Sequence, residues 1–556
     1  MLPCLLLGAG LLAGAALAAD PVTLTIDATQ TGYAIPPNYV GLSVSRASIS
    51  GSHAYRQLFD PNKNACYPHL TNLFAQIGVK HIRVISGTAS AADPDPTGTQ
   101  DDRFFDFARA SGVTGVIYSL HLFNEEGDDN VVAARHIWTT PADRALLESF
   151  TFDNEPDWKY HFRSPYPDPV ITGYAAPAGR GYKDKWAALH ADVQNRLGNP
   201  LPPAPFSGPD TGSEYPIQMD SAPNTSINGV PFTLRFVLDE RSKIMMATQH
   251  YYGGDSKTAP VWTPDSAYYV NDTVLDPKDP DRAAFSCIKQ VKPGNGHPSS
   301  DPSRWKAVAA SSKPGPLQLA RVALSAARLT EWNLLYTNAL AGASGWPSAL
   351  PFRLTESSPF NNGGGNHGNQ AFATALWGLD YFHWWAMHGC AGIDPFTRVA
   401  QYNSPIFCQQ DGDFVAEPYA YGIKAFSLGS RGATINATGF QISNPASINV
   451  TVYGVVGAND LYVTVINKTF QQAGARDAAL TINRPSGFTP ESARYIILAG
   501  DPEGDITATT ATLGGATIPV EGNWTGTWHP LPPTNGAYKL TVHPATAVIV
   551  DLQSRP

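Results

Sequence analysis

The stretch Leu146-Leu-Glu-Ser-Phe-Thr-Phe152, followed at once by Asp153-Asn154-Glu155-Pro156, decides the fold of this chain. Its apolar run predicts a β-strand, and Pro156 prevents that strand from continuing. The stretch Phe352-Arg-Leu-Thr-Glu356 repeats the pattern, because an apolar run again ends in a glutamate and a polar, Gly-rich loop follows. Each strand therefore ends in a carboxylate where a βα loop is expected to begin.

Short apolar runs alternate with helical stretches from about Pro36 to Phe407. The pattern predicts strands at Lys80–Ile85, Gly115–His121 and Lys243–Tyr252, and helices at Asp102–Ser111, Leu317–Leu340 and Gln370–His388. Strands that alternate with helices imply βα units around a parallel sheet. For a segment of this length the prediction is an α/β fold built on a (β/α)8 barrel.

The 556 residues are too many for one hydrophobic core, and the pattern changes along the chain. After about Phe414, short β-branched runs separated by Gly, Pro and Asn turns predict an antiparallel β-sandwich. The strand-like Val22–Asp27 needs a sheet to join, and we expect it to join this one. The Pro/Asp-rich Pro260–Ala307 predicts a compact β insert near the carboxyl rim of the barrel. The predicted units are a signal peptide at 1–19, the N-terminal strand at 20–35, the barrel at 36–410, the insert at 260–308 and the sandwich at 411–556.

The N-terminus is typical of a secretory signal peptide. Leu5–Leu17 is apolar and too short to span a bilayer, and Ala16-Leu17-Ala18 supplies a cleavage site, although no Lys or Arg precedes the apolar run. We therefore expect a secreted, extracellular protein. The net charge of −9 disfavours nucleic acid and anionic membrane surfaces as partners.

Cleavage of this peptide would leave four cysteines, which allow three pairings: Cys66, Cys287, Cys390 and Cys408. The pair Cys390–Cys408 is favoured because it closes a short loop in an oxidising compartment. Six Asn-x-Ser/Thr sequons become glycan acceptors where the host glycosylates: Asn224, Asn271, Asn436, Asn449, Asn467 and Asn523.

Glu155 and Glu356 fit the chemistry of glycosidic hydrolysis, which needs two carboxyl groups on either side of the scissile bond. Asn154 is a neutral donor suited to a sugar hydroxyl. His250-Tyr251-Tyr252 closes another strand, and one of its tyrosines is expected either to hold the nucleophile carboxylate or only to pack at the barrel rim.

Other catalytic patterns are absent from the sequence. There is no G-x-S-x-G elbow, no H-E-x-x-H, no P-loop and no G-x-G-x-x-G after a strand. The fourteen histidines lack ligand spacing, and His383 and His388 on a Trp-rich helix are interpreted as packing residues. We expect neither a metal nor an organic cofactor.

With these motifs in hand, the chain resembles glycoside hydrolase family 79, the β-glucuronidases and heparanase-like enzymes. The resemblance covers most of the chain and rests on four motifs, Asp153–Pro156, Gln249–Tyr252, Thr355–Ser358 and Ala371–Trp377. It implies a barrel with a C-terminal sandwich, Glu155 as acid/base, Glu356 as nucleophile, and retention of configuration. The insert resembles carbohydrate-binding modules of families 5 and 12, which carry Trp, Tyr, Val, Cys and Trp in this order.

The resemblance also implies a sugar site, whose details here depart from the family pattern. The loop Pro359–Gly364 contains no tyrosine to hold a sugar carboxylate, although its glycines offer amides, and His121 stands where an Asn is expected. Because the chain resembles the β-glucuronidases, β-glucuronide is the leading expectation for the substrate. The expected substrate-binding residues are Asn154, His250, Tyr251, Asn361, Gly363, Gly364 and His121.

Two alternatives remain open at the level of the sequence. One is a carbohydrate-binding protein without catalysis, which the presence of both glutamates disfavours. The other is an endo-acting hydrolase of acidic or cell-wall polysaccharide, which would need an open cleft. In each case the partner is an oligo- or polysaccharide.

Overall fold

The computed structural model describes most of the chain between residues 19 and 554. The described ranges are 19–50, 59–60, 65–85, 96–122, 127–152, 154–156, 181–197, 201–212, 226–227, 230–264, 266–278, 283–309, 311–340, 350–361, 367–397, 403–408, 414–445, 448–470 and 474–554. The predicted signal peptide lies almost wholly outside them.

Eight parallel strands of the described chain close into a barrel, as the sequence predicted. They are β1 Gly41–Ser45, β2 His81–Ile85, β3 Gly115–Leu120, β4 Leu147–Phe152, β5 Ser207–Thr211, β6 Met246–Tyr252, β7 Phe352–Ser358 and β8 Ile393–Pro395. Two four-stranded sheets, β1 to β4 and β5 to β8, are joined by the pairs Phe150–Phe206 and Val40–Ile393. The fold class is therefore a (β/α)8 barrel.

Helices on the outside of the barrel follow the strands. They are Pro68–Ile77, Gly98–Ala110, Gly127–Thr139, Tyr182–Leu197, Phe232–Glu240, the pair Pro316–Ala323 and Ala327–Leu335, Ala373–Met387 and Pro418–Leu428. Shorter helical segments lie at Ala47–Ser50, Pro141–Arg144, Pro298–Ser300, Tyr336–Leu340, His367–Gln370 and Ala437–Gly439. The helix predicted over Leu317–Leu340 is interrupted after Ala323 and ends in a π-helical turn. No helix in the described part of the chain is long and apolar enough to cross a membrane.

The last barrel helix moves the boundary between the two large units. Pro418–Leu428 packs against the helices Pro68–Ile77 and Ala373–Met387, which makes it part of the barrel layer. The predicted boundary at residue 410 is therefore too early, and the next strand is Ala433–Ile435. A short antiparallel hairpin, Ile406–Cys408 and Phe414–Ala416, precedes this helix.

The C-terminal region consists of two packed sheets. The smaller sheet contains, in order, Phe440–Ser443, Asp20–Ile26, Ala478–Asn483 and Ala537–Val542. The larger contains Thr31–Ala34, Ala433–Ile435, Val450–Val456, Asp460–Asn467, Thr546–Gln553, Ser492–Asp501 and Thr510–Leu513, with His529–Pro530 beside Ser492–Asp501. The N-terminal strand pairs antiparallel with Phe440–Ser443 and parallel with Ala478–Asn483.

Alternation along the strands explains why the larger sheet is buried on both faces. Leu461, Val463 and Val465 pack against the smaller sheet, while Tyr462 and Ile466 belong to the core shared with the barrel. Successive side chains of a strand point to opposite faces, so one strand serves both interfaces. The sandwich is therefore packed directly on the barrel.

The insert is a three-stranded antiparallel sheet, Thr273–Leu275, Ala284–Cys287 and Trp305–Val308. Four of its aromatic side chains, Trp262, Tyr268, Phe285 and Trp305, pack into one small core. Tyr268 and Trp305 are buried in this core, whereas Trp262 and Phe285 are only partly buried against it.

A pair of contacts fixes the insert to the barrel helix Pro316–Ala323. The backbone N–H of Thr273 donates to Oε1 of Gln318 (2.9 Å), and Nε2 of Gln318 donates to the carbonyl of Thr273 (2.7 Å). Arg321 pairs with Asp272, and its guanidinium lies 4.4 Å from the ring centre of Tyr269. The insert is thus held as a rigid lobe.

The predicted disulfide Cys390–Cys408 is wrong. Cys390 is a free, buried thiol that donates to the carbonyl of Gly392 (3.1 Å), and burial raises its pKa to about 12. Cys287 is also free and buried in the insert. A short separation in sequence did not bring the favoured pair together, because Cys390 packs inside the barrel layer just before β8.

A buried ion cluster fills the amino end of the barrel. Arg353 on β7 donates to both carboxylate oxygens of Asp394 on β8 (2.7 and 2.8 Å). His81 at the start of β2 bridges Asp394 (2.7 Å) and Glu148 (3.0 Å). Burial alone would raise the pKa of Asp394, but Arg353 and His81 lower it to about 2.

This cluster predicts an acid-dependent stability. Because the pKa of Asp394 is depressed on folding, its contribution is present above about pH 4 and is lost as pH falls towards about pH 2. Asp394→Asn should lower the free energy of unfolding at neutral pH by about 3–5 kcal/mol, since Arg353 is left without its charge partner. Urea denaturation at several pH values measures this. An unfolding free energy that falls as steeply with acid in the variant as in the wild type would contradict it.

Candidate active site

Glu155 and Glu356 lie together at the carboxyl end of the barrel. Glu155 follows β4 by three residues, and Glu356 occupies β7 two residues before that strand ends. One oxygen of each carboxylate and Nδ1 or Nε2 of His250 all lie within 4.8 Å of one another. The structure therefore brings the two sequence-predicted glutamates to one site.

Arg83 on β2 connects the groups of this site. Its Nη1 donates to Oε2 of Glu356 (3.0 Å), and its Nη2 donates to Oδ1 of Asn154 (2.9 Å) and Oδ2 of Asp210 (3.0 Å). Nη1 also reaches Oγ of Ser43 on β1 (3.3 Å). The planar guanidinium presents donors in fixed directions, so a single side chain sets the positions of several strand ends.

The two adjacent tyrosines of β6 point to opposite sides of the barrel wall. The hydroxyl of Tyr252 donates to Oε1 of Glu356, which makes Tyr252 the tyrosine that holds this carboxylate. Tyr251 faces outward, stacks on Tyr381 and donates to Glu331 (3.2 Å). The substrate-binding role predicted for Tyr251 is therefore wrong, because strand alternation places its ring in the helix layer.

His250 lies beside both glutamate carboxylates of the site. Its Nδ1 lies 3.1 Å from Oε1 of Glu155 and 3.9 Å from Oε2 of Glu356. Burial lowers its pKa well below the ordinary value for histidine, and the charge of Arg83 adds to this effect. The imidazole is therefore neutral at physiological pH and available for hydrogen bonding.

Asp210, at the end of β5, is fully buried beside both glutamates. Its carbonyl accepts the backbone N–H of Glu155 (2.9 Å), and its own N–H donates to Oγ1 of Thr248 (3.0 Å). Its Oδ1 accepts the hydroxyl of Thr355 (2.5 Å), the residue before Glu356. Asp210 and Glu155 both have left-handed backbones, with φ of 58° and 52°. Such conformations cost about 1–3 kcal/mol each and persist where neighbours fix them.

The charges of the site act on the ionisation of the buried carboxylates. Burial raises the pKa of Glu356, while Arg83 and the Tyr252 hydroxyl oppose the rise and the negative charge of Asp210 adds to it. For Asp210 burial is again the largest single effect and acts upward, but Arg83 and the other partners of this carboxylate together outweigh it, so its pKa lies below the ordinary value. Burial keeps Tyr252 protonated by raising its pKa, so it remains a donor.

The other predicted substrate-binding residues have different surroundings. Asn154 is buried against Arg83, and because its Oδ1 accepts from Arg83, its amide nitrogen is the group it offers to a ligand. His121 follows β3 at the same barrel end, with its backbone bonded to the side chain of Asn130. Asn361 pairs its backbone with Gly254, joining the loops after β6 and β7. Gly363 and Gly364 lie outside the described residues.

The triad Glu155, His250 and Glu356 also has the spacing of a metal site. A neutral imidazole and two carboxylates are suitable donors for Zn²⁺. The oxygen of Glu356 nearest His250, however, already accepts a hydrogen bond from Arg83, and that cation repels a second one. The arrangement suits proton and nucleophile chemistry better than metal binding.

Arg83 and Asp210 were missed as site residues by the sequence reasoning. In His81-Ile-Arg-Val-Ile85 the alternate residues 81, 83 and 85 share a face, so an arginine on that face predicts a buried charge inside the barrel. Ser207-Gly-Pro-Asp-Thr211 has the composition of a turn, which concealed β5 and with it Asp210.

No family model matches the sequence, and no curated protein does. Among solved structures, the chain is similar to a 4-O-α-L-rhamnosyl-β-D-glucuronidase from Fusarium oxysporum 12S in complex with Rha-GlcA (TM-score 0.59, 13% identity, 95% of this chain and 100% of that one). It is also similar to the GH51 arabinofuranosidase of Xanthomonas axonopodis pv. citri (TM-score 0.60, 12% identity, 96% and 100%) and to a GH44 endoglucanase of Clostridium acetobutylium ATCC 824 (TM-score 0.55, 12% identity, 96% and 100%). At these identities the likeness shows the fold, that of TIM-barrel glycoside hydrolases.

The role of Arg83 predicts a pH-dependent loss of stability. Arg83→Gln leaves Asp210 and Glu356 buried without the cation that compensates them, so we expect the free energy of unfolding to fall by about 3–5 kcal/mol at neutral pH. Since Arg83 depresses the pKa of Asp210, this carboxyl should bind a proton at a higher pH in the variant, and the loss should shrink in acid.

Urea denaturation near neutrality and near about pH 5 tests this prediction. The double variant Arg83→Gln/Asp210→Asn is the control and should recover part of the loss. A loss that does not change with pH and that the second substitution does not relieve would contradict the prediction.

Proposed function

We propose that this protein is a secreted retaining glycoside hydrolase that cleaves β-glycosidic bonds, with Glu356 as nucleophile and Glu155 as general acid/base. The observation that carries the proposal is the separation of at most 4.8 Å between the nearest oxygens of the two carboxylates. Retaining enzymes hold these groups about 5–5.5 Å apart, whereas inverting enzymes leave about 6.5–9.5 Å for a water molecule.

The surroundings support this division of roles. Glu356 accepts hydrogen bonds from Arg83 and Tyr252, which favour and orient a carboxylate for attack. Glu155 touches the neutral His250, and its side chain is 13% exposed, more than that of Glu356. A group that exchanges a proton with both a leaving group and water needs this greater access.

The reaction then follows two balanced steps. Glu356 forms a bond to the anomeric carbon while Glu155 gives its proton to the departing glycosidic oxygen, which breaks the scissile bond. Glu155, now a carboxylate, removes a proton from water, and the resulting oxygen nucleophile displaces Glu356 from the anomeric carbon. Two inversions give net retention and return both glutamates to their starting states.

β-Glucuronides are the proposed substrates. The support is the motif resemblance to glycoside hydrolase family 79 and the structural likeness to an enzyme whose solved complex contains Rha-GlcA. A carbohydrate-binding protein without catalysis would not need two converging carboxylates with an arginine and a tyrosine directed at one of them. The proposal of secretion rests on the apolar N-terminal segment alone.

A screen against aryl glycosides (glucuronide, 4-O-methylglucuronide, galactoside and glucoside), with product stereochemistry followed by NMR, tests the proposal. Glu356→Gln should lower turnover of every substrate on the order of 10⁴-fold or more, because the covalent intermediate cannot form. Glu155→Gln should slow substrates with poor leaving groups by about 10²–10⁴-fold and activated aryl glycosides far less.

Glu148→Gln provides the matched control, since Glu148 lies near the opposite end of the barrel and should leave turnover close to the wild type. Equal losses on good and poor leaving groups in Glu155→Gln would remove the case for Glu155 as the acid. A wild-type protein that hydrolyses none of the glycosides would count against the function itself.

A further inference from the structure

We propose that Asp210 is a positioning residue for both catalytic glutamates, through its carbonyl oxygen for Glu155 and through its carboxylate for Glu356. This inference rests on the proposed function and extends it to a fully buried residue that binds neighbours of both glutamates.

The backbone of Asp210 holds Glu155 in position. Glu155 lies in a left-handed conformation, and the N–H of this residue donates to the carbonyl of Asp210 (2.9 Å). Asp210 shares that conformation and is anchored by its N–H to Thr248 on β6. Asp210 thus connects Glu155, after β4, to β6 through one backbone–backbone hydrogen bond and one hydrogen bond to the Thr248 hydroxyl.

The carboxylate of Asp210 holds Glu356 in position through two neighbours. The two carboxylate oxygens of Asp210 have different partners, Arg83 through Oδ2 (3.0 Å) and Thr355 through Oδ1 (2.5 Å). Arg83 binds Glu356, and Thr355 precedes it in β7. Asp210 therefore fixes the nucleophile from two sides while remaining fully buried.

The charge of Asp210 acts on Glu356 through the arginine that both carboxylates bind. Arg83 divides its two terminal nitrogens between Asp210 and Glu356, so neither carboxylate receives the whole cation. Among the residues that the structure describes, the charged or titratable groups that face Glu356 are Arg83 from β2, Glu155 after β4, Asp210 from β5, and His250 and Tyr252 from β6. Among them, Asp210 opposes the pull of Arg83 and keeps the carboxylate basic enough to attack.

Asp210→Asn removes the charge and keeps the shape of the side chain. With Asp210 neutral, Arg83 acts on Glu356 alone, so the acid limb of the pH profile of kcat/KM should move to lower pH than in the wild type. The basic limb, which reports the proton on Glu155, should move less, because Asp210 contacts Glu155 through its backbone carbonyl and directs its carboxylate at Arg83 and Thr355. Turnover of an activated aryl glycoside should fall on the order of 10²-fold, mainly in kcat.

Asp394→Asn is the matched control, because Asp394 is equally buried and also bound to a buried arginine, but at the amino end of the barrel. It should lower stability without moving either limb. If Asp210→Asn left both limbs at their wild-type values, or changed activity only as much as Asp394→Asn does, Asp210 would be a structural residue and the inference would be overturned.

Two further variants cover the case in which Asp210→Asn does not fold. Thr355→Val and Thr248→Val each remove one contact of Asp210 and leave its charge, so each should reduce kcat more than it changes KM, with the acid limb unmoved. Wild-type kcat in both would overturn the inference. Failure of the proposed function is distinguishable, because it would appear as an inactive wild type or as an active Glu356→Gln.

Discussion

The buried guanidinium of Arg83 is the interaction on which the rest of the site depends. A charge inside the barrel is stable only if carboxylates and hydrogen-bond acceptors surround it. Asp210, Glu356 and Asn154 meet that requirement, and each comes from a different βα unit. Because all three side chains bind the same cation, the ends of their strands are held in a fixed arrangement. The spacing between Glu155 and Glu356 follows from that arrangement.

The helix Ala373–Met387, which follows β7, connects this site to the C-terminal sandwich. Asp380 on Ala373–Met387 accepts from the hydroxyl of Tyr453 in the larger sheet (2.5 Å) and from Nζ of Lys468, the buried residue that follows the strand Asp460–Asn467 (2.6 Å). His383 on the same helix stacks on Tyr453. The sandwich covers the face of this helix that solvent would otherwise contact, so the helix is buried on nearly all sides. Its Trp- and Phe-rich sequence is stable in that position.

Much of the fold and part of the site could be predicted from local pattern. Glu155 and Glu356 were found because each ends an apolar strand, which is a local signal. The sequence did not show which of Tyr251 and Tyr252 faces the barrel interior, because a shift of one residue in the strand register exchanges the two faces. Asp210 was missed since its strand contains Gly and Pro, and the proposed bridge from Cys390 failed because distance in space is not given by distance in sequence.

The most direct test of the central claim is to trap the covalent intermediate. A 2-deoxy-2-fluoro-β-glycoside with a good leaving group, of the sugar that the substrate screen selects, slows the second step of a retaining enzyme more than the first. The account predicts that intact mass rises by one fluoroglycosyl group and that peptide mapping places the label on Glu356. A label on Glu155, or an active enzyme that accumulates no adduct and releases product of inverted configuration, would contradict it.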